Sequence, residues 1–130
     1  MQHAFRHIVS LADTDAAGVV FTARSIEIAH RGFEHWLAAH GVPIVDMLAG
    51  RLPAMPIVRV EADLHAPLRV GDAVEVHSSM TACGERSITM LHELMLGSRC
   101  AARITLVHAC VGRDGASVAV PDAIRRLADR

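Results

Sequence analysis

At 130 residues the chain has room for a single hydrophobic core, which usually serves roughly 100–200 residues, and excludes a second domain. Apolar residues at 52% against charged ones at 21% exclude the polar, highly charged regime of disorder. A net charge of −1, with thirteen basic residues scattered along the chain, excludes the basic stripe that draws nucleic acid.

The first residues lack the apolar stretch of a signal peptide, and no later run approaches the ~18 apolar residues of a membrane span. A cytoplasmic protein without membrane insertion is the expectation. Cys83, Cys100 and Cys110 form no C-x-x-C pair and are odd in number, which suggests neither a disulfide framework nor a zinc site. They are expected as small buried core residues.

Residues 3–12 alternate loosely and predict a first strand ending at the polar Asp13, Thr14 and Asp15. A loop of small residues follows through Gly18. Ile26, Ala29, His30, Phe33, Trp36 and Leu37 then recur at three-to-four spacing, predicting one amphipathic helix of roughly 17 residues closed by Gly41 and Pro43. Thr22 or Ser25 is the expected cap, with Glu27 in the first turn favouring the positive end of the helix dipole. Residues 44–50 suggest a further helical turn or two.

From Pro53 the pattern changes to strands at 55–64, 73–82, 86–96 and 99–111, separated by short Gly- and Pro-containing turns. Short separators predict neighbouring strands and a mainly antiparallel sheet. A C-terminal helix over about residues 122–128 follows Pro121. One strand, a long helix and four strands give an α+β domain with the helix laid on a curved sheet of about five strands.

The densest run of unusual residues spans 11–21 and contains D-T-D-A-A-G-V-V-F. It resembles the D-x-D-x-x-G-V-V signature of hot-dog thioesterases of the 4-hydroxybenzoyl-CoA type, which include YbgC-like and 1,4-dihydroxy-2-naphthoyl-CoA thioesterases. The helix through Trp36 and Leu37 is similar to the family's central helix, and its end to the naphthoyl-CoA branch. The stretch from Met55 through Asp63, Leu64, His65, Pro67 and Gly71 to Asp72 resembles its second strand and following turn. The likeness covers roughly residues 5–110 in the right order.

The resemblance implies the hot-dog fold and hydrolysis of an acyl-CoA thioester, without a metal or other cofactor. Asp15 takes the role of the family's acting carboxylate, as nucleophile or as general base. The backbone N–H of Thr22, seven residues on, is expected to polarise the carbonyl, since a helix-terminal N–H is an orphan donor in positive potential. Relatives often carry Tyr or His there, so only the backbone contribution carries over. Gly18 is expected to let substrate approach the loop, Val20, Phe21, Ile57 and Val58 to line the acyl site, and Arg86 with Ser87 to meet the CoA phosphates. The likeness also implies a homo-oligomer, a dimer or a dimer of dimers, with the second copy covering sheet left bare by one helix. The acyl group stays open between aromatic (4-hydroxybenzoyl or 1,4-dihydroxy-2-naphthoyl) and short- or medium-chain aliphatic.

Other readings attach to the same residues. Asp13 is expected as a structural acid bonding nearby backbone N–H groups. Among nine histidines, His30, His35 and His40 are five apart and fan around the helix, which speaks against a metal site. A hot-dog dehydratase or hydratase would need a base and an acid across adjacent carbons, commonly His with a carboxylate, and the loop has no His. A non-catalytic acyl-CoA-binding module would have no use for Asp15.

Overall fold

The computed structural model describes residues 2–129, and its architecture follows from where each hydrophobic pattern is interrupted. In chain order the elements are β1 (Gln2–Ile8), α1 (Thr22–Ala39), α2 (Ile44–Leu48), β2 (Ile57–Leu64), β3 (Ala73–Cys83), β4 (Ser87–Leu96), β5 (Arg99–Ala109) and α3 (Asp122–Arg125). Short 3₁₀ turns lie at Leu11–Asp13 and Arg126–Asp129. The first strand ends at Ile8, earlier than expected, because the Asp13 carboxylate accepts the Ser10 N–H at 3.0 Å and closes a 3₁₀ turn.

α1 buries Ile28, Ala29, Gly32, Phe33, Trp36 and Leu37 along one stripe. Its start corrects the expected cap: Phe21 is the N-cap and contributes no side-chain bond, so Thr22 and Ser25 lie inside the helix. Glu27 falls beyond the first turn and pairs with Arg24. At the other end Gly41 adopts φ +78°, with the Val42 N–H on the Leu37 carbonyl (2.9 Å) and the Gly41 N–H on that of Ala38 (3.1 Å). That is the left-handed glycine stop expected of a Schellman ending.

The strands form one antiparallel sheet in the order β1-β3-β4-β5-β2. Short separators therefore predicted neighbours correctly for β3, β4 and β5, but not for β2 and β3. Both edges of β3 are taken by β1 and β4, so β2 pairs with β5 at the far edge, from Ile57 opposite His108 to Leu64 opposite Ala102. The register shifts between Ile57 and Arg59, which leaves Val58 at a bulge.

Alternation along β3 and β4 turns Val74, Val76, Ile88, Met90 and Leu94 inward, and α1 lies across that face. Gly32 permits the close approach: a Cβ there would stand 2.5 Å from Ser78 Oγ and 2.9 Å from Val76 Cγ1. Two clusters fill the core. One is built around Ile28, Ala29, Val76 and Ile104, and the other around Phe33, Trp36, Met90 and Ile124. Cys110 is buried as expected, whereas Cys83 and Cys100 are only partly covered, and all three are free thiols.

Candidate active site

The loop between β1 and α1 is held by its own polar groups. Asp13, only 5% exposed, accepts His7 Nε2 at 2.9 Å, the Ser10 N–H at 3.0 Å and the Ser10 hydroxyl at 3.3 Å, the structural role expected of it. Its carbonyl accepts the Phe21 N–H at 3.0 Å, closing the loop around Asp15. Inside it Thr14 bridges Val20, the Asp15 N–H meets the Val19 carbonyl at 3.0 Å, and the Gly18 N–H meets the Asp15 carbonyl at 3.0 Å. Gly18 supplies the positive φ (+78°) that this turn requires.

Asp15 Oδ1 accepts the Ala17 N–H at 2.8 Å, which orients the exposed carboxylate. The Val20 N–H on the Leu68 carbonyl (2.8 Å) stitches the loop to the segment that follows β2. At the start of α1 the N–H groups of Arg24 and Ser25 both reach the Phe21 carbonyl, at 2.9 and 3.1 Å. Among the described residues no acceptor meets the N–H of Thr22 or Ala23, and no side chain caps the helix. Two orphan donors therefore remain in the positive field of an 18-residue helix.

Between this loop and the connection after β2 lies a cleft of about 310 Å³, lined by Asp15, Val19, Val20, Thr22, Ser25, Leu64, His65, Ala66, Pro67, Leu68, Ala101 and Ala102. Its walls are mostly aliphatic, with one carboxylate (Asp15), the uncapped helix start, two hydroxyl residues (Thr22 and Ser25) and one imidazole (His65) among the lining. A carboxylate and orphan N–H donors opening on one largely aliphatic cleft suit attack on an uncharged carbonyl whose oxygen gains negative charge.

Of the residues singled out in the sequence, Asp15, Val20 and Thr22 line the cleft, and Gly18 shapes its loop without lining it. Phe21, 52% exposed, lies outside the lining. Ile57 and Val58 lie near the start of β2, at the opposite end from Leu64, roughly 20–23 Å away at strand rise. Ser87 pairs with Ala109 at the end of β4 remote from Leu94 and Ala102, and Arg86 Nη1 reaches the Ser117 carbonyl at 3.4 Å. Within one chain these four stand at the far end of the sheet from Asp15.

Ser25, His65 and the pair Ala101 and Ala102 were not anticipated. His65 belongs to the stretch that carries the family likeness, and Ser25 lies one turn past Thr22, so spacing held a signal for both. Among the described residues no three His, Cys, Asp or Glu side chains gather to hold a metal ion. No helix among them is long and apolar enough to cross a membrane.

Comparison with known proteins agrees with this geometry. Residues 9–127 match the sequence model of the thioesterase-like superfamily. A 1,4-dihydroxy-2-naphthoyl-CoA hydrolase from Microcystis aeruginosa is 30% identical over 107 residues, covering 82% of this chain and 78% of its own. That from Trichodesmium erythraeum is 29% identical, covering 97% and 94%. Among solved structures, a 1,4-dihydroxy-2-naphthoyl-CoA thioesterase from Synechocystis superposes with a TM-score of 0.90 at 23% identity, covering 99% and 96%. The dynemicin thioesterase does so with 0.87 at 26% identity, covering 100% and 96%. With a long central helix laid on a five-stranded antiparallel sheet, the chain belongs to the thioesterase-like superfamily and is a thioester hydrolase of the hot-dog fold.

Proposed function

We propose that the chain hydrolyses an acyl-CoA to the free acid and CoA, with Asp15 acting on the thioester carbonyl and the Thr22 N–H holding its oxygen. The observation that carries this reading is that Asp15 and the uncapped start of α1 open on one cleft. Asp15 Oδ1 is held by the Ala17 N–H, which leaves Oδ2 for chemistry. As nucleophile, that oxygen adds to the carbonyl carbon, the tetrahedral oxyanion expels the CoA thiolate, and water cleaves the resulting anhydride. As general base, it takes a proton from water, the hydroxide formed adds instead, and the adduct expels CoA, whose sulfur takes the proton back from Asp15. Either route places negative charge on the same carbonyl oxygen, beside the Thr22 N–H, where one donor is typically worth about 10²–10³ in rate.

An aromatic acyl group, such as 4-hydroxybenzoyl or 1,4-dihydroxy-2-naphthoyl, is supported by the relatives at 28–30% identity that are named as 1,4-dihydroxy-2-naphthoyl-CoA hydrolases. The aliphatic alternative draws on the lining itself, which among the described residues holds Val, Leu, Ala and Pro and no aromatic ring but the His65 imidazole.

The protein is read as a homodimer, or a dimer of such dimers, built across β2. α1 packs against β1, β3, β4 and β5, while Val60 and Leu64 face the same side as the buried Leu106 and Ala102 opposite them. They remain 43% and 50% exposed on a free edge, which a second copy would cover. Ile57, Val58, Arg86 and Ser87, remote from Asp15 of their own chain, then belong to contacts that a second copy can bring to a shared site, Arg86 and Ser87 toward CoA phosphates.

The test is thiol release from a panel of aromatic and aliphatic acyl-CoA esters by the wild type and Asp15→Asn, with folding checked by thermal transition. Turnover of one ester class, and loss of about 10² or more in kcat/KM by the folded variant, is the expected result. Tight binding without hydrolysis by the wild type would replace this reading with an acyl-CoA-binding module.

A further inference from the structure

We infer that the Ser25 hydroxyl is a second hydrogen-bond donor to the thioester carbonyl oxygen, working beside the Thr22 N–H. The inference rests on the reading of the cleft given above and adds a residue to it.

Serine inside a helix is usually accounted for by back-bonding to the carbonyl four residues earlier, here that of Phe21. That carbonyl instead takes the N–H groups of Arg24 and Ser25, and no bond to it or to any other described group is formed by Ser25 Oγ. The residue is only 5% exposed, yet its oxygen is not among the sealed, unpartnered polar atoms of the interior, which are His92 Nε2 and His108 Nε2. What access it has is to the cleft it lines together with Asp15 and Thr22.

Geometry brings the two donors together. Residues three apart share a helix face, offset by about 4.5 Å along the axis. The Cα–Cβ bond leans toward the N-terminus, so the side chain of Ser25 covers the turn that contains Thr22. A carbonyl oxygen seated on the Thr22 N–H therefore lies within reach of a hydroxyl that has no other engagement. As the oxygen turns from carbonyl to oxyanion the hydrogen bond donated by the Ser25 hydroxyl strengthens, which lowers the barrier more than it improves ground-state binding.

The experiment compares Ser25→Ala and Ser25→Thr with the wild type on the best ester, with thermal transitions recorded for each. Ser25→Ala is expected to lower kcat by about 10² with KM changed by less than about threefold, and Ser25→Thr, which restores a hydroxyl, to recover at least about tenfold of the loss. A second readout is the infrared carbonyl stretch of the ester bound to Asp15→Asn. It should move to higher frequency when Ser25→Ala is added, because a donor to the oxygen is gone. A purely structural serine would move neither kcat selectively nor the stretch. If Ser25→Ala does not fold, Ser25→Cys, of similar shape and a weak donor, takes its place in both measurements.

An alanine variant within about threefold of wild-type kcat, an unmoved stretch, or a loss confined to KM would overturn the inference. If such a result comes with an active wild type and a dead Asp15→Asn, only the role of Ser25 falls. If the wild type hydrolyses no ester, the reading of the cleft falls and takes this inference with it.

Discussion

His7 Nε2 and Asp13 Oδ2 meet at 2.9 Å, tying the end of β1 to the loop that presents Asp15. Burial opposes the charge on Asp13, but the Ser10 N–H, the His7 ring and the Ser10 hydroxyl outweigh it and hold the carboxyl below its ordinary range. A carboxyl lowered in the folded state contributes stability above its unfolded pKa, about 3.9, and that contribution disappears as the pH falls through the lowered value. Asp13→Ala should cost about 1–3 kcal/mol at pH 7, seen as a thermal transition lower by several degrees, and the deficit should shrink below about pH 4. The loop would also loosen around Asp15, so kcat should drop. Calorimetry of both proteins at pH 7 and pH 3 checks this, and equal transitions at pH 7 would show that the contact does not stabilise the fold.

The sequence carried this loop because its chemistry is local: Asp13, Asp15, Gly18 and the start of α1 fall within ten residues, and each has a job defined by its neighbours. The helix was equally legible, since Phe33, Trp36 and Leu37 follow one stripe. The cap was not. Thr22 and Ser25 are good capping residues, but the chain reaches helical dihedrals one residue earlier and leaves the terminus open, which spacing does not encode. The opposite wall was hidden for another reason. Leu64 and His65 meet Ala101 and Ala102 only because β2 pairs with β5, and that choice depended on β1 and β4 having occupied both edges of β3.

Gly32 gives a test of how closely α1 is seated on the sheet. On an exposed helix, Gly→Ala would add about 1 kcal/mol of stability. Here the new Cβ would lie 2.5 Å from Ser78 Oγ, 2.9 Å from Val76 Cγ1 and 3.1 Å from His92 Nδ1, and Ser78 is itself bonded to His92 Nδ1 at 2.7 Å. Gly32→Ala is therefore expected to destabilise by about 1–3 kcal/mol in denaturant titration. A variant more stable than its parent would mean that the helix rides higher above β3 than described.

The proposed dimer makes a prediction on β2. Val58 and Val60 are 62% and 43% exposed on a free edge strand, and lysine at both places a pair of charges where a second copy would pack. Light scattering should give at least twice the 14.0 kDa chain mass for the wild type and about one chain for Val58→Lys with Val60→Lys. Both positions are solvent-facing in the single chain, so the variant should keep its secondary structure. An unchanged mass would move the interface away from β2.

His92 and His108 offer the clearest dependence on pH. Both are fully buried. His92 Nδ1 meets Ser78 Oγ at 2.7 Å and His108 Nδ1 faces the Met55 carbonyl at 3.0 Å, while each Nε2 lacks a partner among the described residues. Burial, then the nearby rings of His108 and His30, push His92 down to about 3. Burial pushes His108 down to about 4, opposed by its bond to Met55 and aided by His30. No acid is among the groups acting on either ring, so no opposite charge offsets a proton placed there. A histidine lowered in the folded state binds its proton more readily when unfolded, so its contribution is complete above about pH 6.5 and is lost as the pH falls from there toward about 4 for His108 and about 3 for His92. Each ring contributes up to about 1.4 kcal/mol per pH unit in that window, so denaturant titration should find the protein weaker by a few kcal/mol at pH 5 than at pH 7.5. This window opens well above that of Asp13, so between pH 7.5 and 5 the histidines act alone, and the two effects overlap only below about pH 4. His108→Gln, which cannot take up a proton, should be less stable at pH 7.5 but remove about half of the difference between the two pH values. Equal stability of the wild type at pH 5 and 7.5 would mean that the rings find water or a partner on protonation.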